Sequence, residues 1–218
     1  NLKGTLFKNA AGQFQDIDYV IISPTFLTTQ AEKLANFHRT NSNLNVKVIT
    51  LESIYQEFSS GKQDVSAIRN CIKYIYENGS SSEKKLKYVN LFGDASYDFK
   101  NRIQNNSNIV PIYHSLNSNT SGEASFASDD FFGLMDGNEG NIISYFGGID
   151  IAVGRMLVND SKQADFYFGY RFGFGNDISV GMFEFNLDFS RFISARFDKS
   201  NYSLFQLWQV PPYNLFLH

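Results

Sequence analysis

The sequence predicts an α/β fold in which helices cover a largely parallel sheet. Short apolar runs alternate with segments of helical spacing along the first two-thirds of the chain. The run DYVIIS (residues 18–23) is typical of a strand buried on both faces, NVKVIT (45–50) is strand-like, and YVNLF (88–92) is typical of a buried strand. Strand, helix, strand, helix, strand is the order of a doubly wound sheet with right-handed crossovers.

Two helices are expected between these strands. Thr29-Gln-Ala-Glu32 fits a capping box, in which the Thr hydroxyl and the Glu carboxylate bind free amides of the first helical turn. One face of this helix carries Ala31, Leu34, Ala35 and His38. The second helix is predicted over residues 64–78, where apolar residues recur at helical spacing and Asn78-Gly79 ends the pattern.

Two further strands are predicted, at Ile109–Tyr113 and Ile149–Val153. Pro111 places the first of them at a sheet edge or a bulge, because proline has no amide to donate. Residues 105–148 are rich in Asn, Ser, Gly and Asp. A loop-rich segment of this length is typical of functional or mobile regions.

The chain changes character after Ala164. Aromatic residues alternate with other residues over 166–174 and again, after Asn176-Asp177, over 183–189. This pattern predicts an aromatic β-hairpin, and therefore a tail at 165–218 distinct from a domain at 1–164. Alternating aromatics are also typical of strands in outer-membrane proteins, so the origin of the tail stays open.

Composition excludes several classes of protein. The 218 residues carry a formal net charge of −3, so no nucleic-acid partner is expected. A single cysteine excludes a disulfide scaffold and a zinc finger. No apolar run is long enough for a transmembrane helix. Because the first residue is Asn1 rather than Met, we expect an internal piece of a longer chain.

The polar run that follows the third strand is the first candidate site. YVNLF leads directly into Gly93 and Asp94, and ligands of doubly wound sheets bind at the carboxyl ends of strands. Ordinary turn chemistry is the alternative explanation of Gly-Asp. His114 follows the predicted strand at 109–113 and is a second candidate at the same edge.

Acidic residues of the long loop are a candidate calcium site. Carboxylates of Asp129, Asp130, Asp136 and Glu139 are the hard oxygen ligands that calcium prefers. Their spacing is not that of an EF-hand, so a solvated turn is the alternative. The sequence contains no Walker A motif or dinucleotide fingerprint, and no cofactor is required.

Neither Cys71 nor His38 has the setting of a catalytic residue. Cys71 lies on the apolar face of the predicted second helix, without a neighbouring histidine or a helix amino terminus to form a thiolate. His38 lies on a helix face beside Phe37 and is expected to be structural.

Several motifs, taken together and in order, resemble the gingipain family of cysteine peptidases. They are DYVIISP, AEKLANFHR, NVKVITLESIYQEFSSGKQD, IRNCIKYIY, YVNLFGDASYDFKNR, IVPIYHS, SDDFFGLMD and DIAVGRMLV. The resemblance covers about residues 16–164. It implies the amino-terminal subdomain of a caspase-like, layered α/β fold. Asp94, Tyr97, Asp98 and His114 then become candidates for shaping the substrate cleft.

The resemblance is strongest to the sortases of type IX secretion within that family. It implies an endopeptidase that removes carboxyl-terminal secretion signals from cargo proteins at the cell surface of a Bacteroidota bacterium, with outer-membrane secretion components as partners. The family's chemistry is thiol acyl transfer by a cysteine and a histidine.

The sequence departs from the family at the catalytic residues. The family's histidine lies in a Gly-His-Gly motif and its cysteine follows the next strand, both after the DIAVGR segment. This chain contains no Gly-His-Gly, and its one cysteine is Cys71, so no catalytic residue is assigned. Loss of a nucleophile costs about 10⁶-fold in turnover, so the chain alone is expected to be inactive. A noncatalytic α/β binding module is the alternative function.

Overall fold

The computed structural model describes residues 5–115, 126–137, 139 and 148–172. The chain divides into two compact units, 1–185 and 186–218, and every described residue belongs to the first. The strands are β1 (Tyr19–Ser23), β2 (Val46–Thr50), β3 (Tyr88–Phe92), β4 (Tyr113–His114), β5 (Ala127–Ser128) and β6 (Ala152–Met156). The helices are α1 (Thr28–Asn41), α2 (Leu51–Phe58), α3 (Val65–Glu77) and α4 (Ser161–Phe172). Short 3₁₀ turns cover Thr5–Phe7, Thr25–Leu27, Ser82–Lys84 and Asp130–Gly133.

Four strands form one parallel sheet in the order β2-β1-β3-β6. Tyr19 lies opposite Val46 on one side and Tyr88 on the other, and Tyr88 lies opposite Ala152. β4 and β5 form a separate antiparallel pair. The parallel sheet with its helices confirms the predicted α/β class.

Successive residues of a strand point to opposite sides of the sheet, and helices cover both sides. Side chains on both faces are therefore buried. One face packs with α2 and α3 in a core cluster that includes Val20, Ile22, Val89, Leu91, Ile54, Ile68, Cys71 and Ile72. The other face meets α1, where the ring of Tyr19 lies edge-on to that of His38 at 5.2 Å. The helices therefore enclose the sheet in layers.

The helix start predicted from the sequence is confirmed for α3, but the capping predicted for α1 is wrong. Asp64 caps α3 by accepting the Ser66 amide at 2.7 Å. The capping box at Thr29 is wrong: α1 begins at Thr28 without a side-chain cap. The preceding 3₁₀ turn already brings the chain into a helical path. α2 was not predicted, because Thr50 both ends β2 and caps this short helix.

Two of the predicted strands are displaced. Of the strand predicted at 109–113, only Tyr113 pairs with another strand. The carbonyls of Val110 and Pro111 accept hydrogen bonds from the guanidinium of Arg155 instead. The strand predicted at 149–153 begins three residues later, at Ala152, where it pairs with β3.

The first strand of the predicted aromatic hairpin is wrong, because residues 166–172 belong to α4. The helix is held by tertiary contacts: Phe168 stacks on Phe92 with ring centroids 6.2 Å apart, and Asp165 accepts from Lys33 at 2.5 Å. The remainder of the predicted hairpin lies outside the described residues. Within the described part of the chain, no helix has the length and apolar character needed to cross a membrane.

β3 ends at a glycine that allows close packing. A Cβ atom on Gly93 would lie 2.7 Å from Cγ2 of Ile109 and 2.8 Å from Cγ2 of Val110. Both neighbours are β-branched and stiff, so neither side chain has an easy way to move aside. Glycine therefore lets the returning segment close onto the end of the strand.

We predict that Gly93→Ala lowers the free energy of unfolding by about 1–3 kcal/mol through overpacking. Gly154→Ala is the matched control, since no atom lies within 4 Å of the Cβ position there. Urea denaturation followed by circular dichroism measures both. Equal stability of the two variants would contradict the packing role of Gly93.

Candidate functional site

The carboxyl ends of β3 and β6 are joined by backbone hydrogen bonds. The Gly93 amide donates to the Met156 carbonyl at 3.0 Å, and the Asp94 amide donates to the Val158 carbonyl at 3.0 Å. In parallel strands these ends share one edge of the sheet, where ligands of such folds bind. The candidate site is built on this edge.

The loop after β3 returns to its own starting point. The amides of Ile109 and Val110 both donate to the carbonyl of Asp94, at 3.0 and 2.9 Å. The intervening residues, 95–108, therefore form a closed loop that projects from the sheet edge. Asp94 contributes mainly through its backbone, and its carboxylate accepts the amide of Ala95 at 2.8 Å.

The buried guanidinium of Arg155, on β6, binds several backbone carbonyls at this edge. Nη1 donates to the carbonyls of Gly93 at 2.9 Å and Val110 at 2.6 Å, and Nη2 donates to the carbonyl of Pro111 at 3.3 Å. The Arg155 side chain is only 7% exposed. A rigid fork of donors suits several convergent acceptors better than a lysine amine does.

Asp129 supplies the negative charge for this guanidinium. Its Oδ2 accepts from Nε of Arg155 at 2.8 Å and its Oδ1 accepts from Nη2 at 2.7 Å, a bidentate pair. We call Arg155, Asp129 and the carbonyls of Gly93, Val110 and Pro111 the Arg155 cluster. It joins four separate parts of the chain, at Gly93, Val110-Pro111, Asp129 and Arg155.

Asp98 organises the inside of the loop. Its Oδ2 accepts the amide of Ile103 at 2.7 Å and also the amide of Arg102, and the residue is 9% exposed. These amide bonds, led by that of Ile103 and helped by Lys100 and the nearby Arg102 charge, lower the pKa of the Asp98 carboxyl below 3.8. Asp98 therefore holds the loop in shape rather than facing a ligand as a free carboxylate.

The predicted cleft residues lie at one edge but play different parts. Tyr97 is 74% exposed, whereas His114 is half-buried with its ring 6.1 Å from that of Phe99. The His114 Nε2 atom is buried without a hydrogen-bond partner. Within the described residues no hydrogen bond joins any two of Asp94, Tyr97, Asp98 and His114.

The acidic residues of the long loop do not converge in the described structure. Among the described residues, no three His, Cys, Asp or Glu side chains form a group that could hold a metal ion. Asp129 is already neutralised by Arg155, and the amide of Asp136 binds Glu139. Residues 138 and 140–147 of this loop are outside the described ranges, so calcium at Asp129, Asp130 and Asp136 stays a prediction.

Cys71 and His38 are core residues on opposite sides of the sheet. Cys71 is fully buried among the apolar side chains of α2 and α3, and burial raises the pKa of its thiol. His38 is 3% exposed, and burial lowers its pKa to about 4. Cys71 is therefore a protonated thiol and His38 a neutral ring at pH 7, as expected of structural residues.

Sequence reasoning missed the cations that hold this edge. In the sequence, Arg155 stands out only as part of the DIAVGR motif, although a charged residue inside an apolar strand signals a buried partner. On α3, Arg69 donates to the Leu134 carbonyl at 2.5 Å and Lys73 to the Met135 carbonyl at 2.7 Å. These two anchors fix the segment that follows Asp129.

Removing the Arg155 guanidinium is predicted to be strongly destabilising. Arg155→Met leaves the Asp129 carboxylate and three carbonyls without their donor, which costs about 3–5 kcal/mol of unfolding free energy. Arg102→Met, at an exposed position of the neighbouring loop, is the control and should change stability by about 0.5 kcal/mol or less. Urea denaturation measures both, and similar values would contradict the anchoring role.

The loop is also predicted to depend on the charge of Asp98. Because its folded pKa is lowered, its stabilising effect is present above the unfolded pKa and is lost as the pH falls through the folded pKa. The amide proton shifts of Arg102 and Ile103, followed by NMR from neutral to acidic pH, should titrate with a midpoint below 3.8. Asp98→Asn should remove that titration. A midpoint above 3.8 would contradict the assignment.

Comparisons with known proteins agree on one relationship. The sequence profile of Peptidase family C25 matches residues 13–169. A crystal structure of dimeric latent PorU from Porphyromonas gingivalis is similar with a TM-score of 0.57 and 26% sequence identity, over 70% of this chain and 15% of that chain. No curated protein matches the sequence.

These comparisons confirm both the suspected family and the gingipain type of α/β fold. The PorU relative comes from a Bacteroidota bacterium. The profile match includes β1, β3, the loop after β3 and Arg155, and it spans more than half of the sequence. The chain therefore belongs to Peptidase family C25, the gingipain family of cysteine peptidases.

Proposed function

We propose that the chain is part of a PorU-like endopeptidase that removes carboxyl-terminal secretion signals from type IX cargo. The observation that carries the proposal is the continuous family match over residues 13–169, which includes the edge where a substrate would bind. The proposed site of action is the cell surface of a Bacteroidota bacterium, with cargo proteins as substrates and outer-membrane secretion components as partners. This role concerns the whole enzyme, since the chain covers 15% of the PorU chain.

The described residues would contribute substrate positioning to this activity. The Arg155 cluster fixes the end of β3, the returning segment and Asp129 relative to one another. A polypeptide bound along this edge would meet a preorganised loop, which reduces the ordering cost of binding. The edge then acts as one wall of the substrate cleft.

The reactive groups would come from elsewhere in the enzyme. Acyl transfer by a thiol requires an accessible thiolate, and the chain's one cysteine is buried with a raised thiol pKa. We therefore propose that this chain alone has no peptidase activity. The same observation favours the second candidate, a noncatalytic binding module that keeps the peptidase fold.

Disruption of the gene that encodes this chain tests the function. Secreted cargo of the disrupted strain should keep its carboxyl-terminal signal, because the processing enzyme is lost. Mass spectrometry of intact secreted proteins measures this directly. Complementation with the complete gene should restore cleavage, and complementation with a Cys71→Ser copy should restore it equally. Normal cargo processing in the disrupted strain would contradict the sortase role and favour the binding module.

A further inference from the structure

The loop at the candidate edge exposes aromatic and basic side chains side by side. We call residues 97–104 the aromatic-basic loop. Tyr97 is 74% exposed, Phe99 is 59% exposed and Ile103 is 42% exposed, and the side chains of Lys100 and Arg102 are also exposed. Large apolar side chains grouped at a surface, with polar neighbours, mark sites of interaction.

The backbone of the loop explains why these side chains face outward. The Asp98 carboxylate turns inward to the amides of Arg102 and Ile103, and the Asp98 carbonyl accepts from Asn106 Nδ2 at 2.8 Å. Phe99 is placed by its ring contact with His114 of β4. The exposed side chains thus project from a loop whose backbone is held from the inside by Asp98 and Asn106.

The exposed charged side chains of the aromatic-basic loop are both cationic. Within residues 97–104 the only carboxylate is Asp98, which is bound to backbone amides, while Lys100 and Arg102 remain exposed. The nearby Asp94 binds the Ala95 amide, and Asp129 is paired with Arg155. A basic ligand side chain would meet carboxylates that already accept hydrogen bonds or are ion-paired, whereas an acidic one would meet two exposed cations.

The aromatic and basic groups are close enough to act on the same ligand. The Lys100 Nζ atom lies 5.4 Å from the centroid of the Phe99 ring, so a cation and an aromatic face form one patch. A glutamate would pair with Lys100 while an adjacent aromatic side chain packs on Phe99 or Tyr97. Ile103 adds an aliphatic surface, which favours an amino-acid side chain over a sugar ring as the neighbour.

We propose that the aromatic-basic loop docks an acidic, aromatic-containing stretch of polypeptide at the substrate edge. The inference rests on the proposed peptidase function, which makes a protein segment the expected occupant. It adds a preference by charge and side-chain type that the family assignment does not supply. The loop binds such a segment before and independently of any cleavage.

Fluorescence anisotropy with the 218-residue chain tests the proposal. The probes are a short fluorescein-labelled peptide of alternating Glu and Phe and its counterpart with Lys in place of every Glu. The acidic peptide should bind about tenfold more tightly at low salt, and added salt should reduce the difference. Phe99→Ala and Lys100→Glu should each weaken acidic-peptide binding by about fivefold or more.

Lys84→Glu is the matched control for charge. Lys84 is exposed and lies near Asp16, which precedes β1 and is therefore at the opposite edge of the sheet. This variant should bind as the parent chain does, and thermal melting should show that all variants are folded. Equal affinity for the two peptides, or equal loss in Lys84→Glu and Lys100→Glu, would overturn the proposal.

Two further outcomes are decisive. Binding of dextran sulfate at the loop without binding of the acidic peptide would identify an anionic-glycan surface and overturn the peptide proposal. Selective peptide binding together with normal cargo processing in the disrupted strain would uphold the docking surface while rejecting the sortase role. The two proposals therefore fail separately.

Discussion

The buried guanidinium of Arg155 is the constraint on which the candidate site depends. Three carbonyls and one carboxylate point to the same place at the end of the sheet. Without a donor, these acceptors would be buried next to one another and unsatisfied, which is costly in a low-dielectric setting. One planar cation with several N–H groups satisfies them together. A single side chain on β6, that of Arg155, therefore fixes the positions of the loop after β3, the returning segment and Asp129.

This arrangement determines which groups remain available to a ligand. The carboxylates that the sequence marks as candidate cleft or calcium residues make internal contacts: Asp129 with Arg155, Asp98 with loop amides and Asp94 with the next residue. A carboxylate engaged in this way keeps its charge but has fewer free acceptor sites for a ligand. The surface of the loop is then left to Tyr97 and Phe99 with their basic neighbours. In this loop the Asp98 carboxylate binds interior amides, and the side chains of Tyr97 and Phe99 are exposed on the outside.

The same physics explains how far the sequence could lead. Apolar runs bounded by polar residues predicted β1, β2 and β3 nearly to the residue. β1 and β3 are buried along nearly their whole length, whereas Lys47, Val48 and Thr50 of β2 are half-buried. The aromatic alternation after Ala164 misled because period two also occurs in a helix whose Phe168 is buried and whose Phe166 is exposed. Only the contact with Phe92 decides between the two. The sequence correctly places Gly93 and Asp94 directly after β3, but the inward turn of Asp98 depends on loop backbone geometry that no local pattern encodes.

Cys71 and His38 stabilise the core of the fold and are not placed to act as catalytic residues. The sheet lies between them, and burial opposes the charged form of each. A thiolate–imidazolium pair would require both charged forms within contact distance, which this packing prevents. Stabilising a core and ionising a nucleophile make opposite demands on solvation, so the residues that close the layers of this fold are poor candidates for catalysis. In the described part of the chain, Cys71 and His38 therefore stabilise the core, while the Arg155 cluster fixes the end of β3 and the returning segment relative to each other.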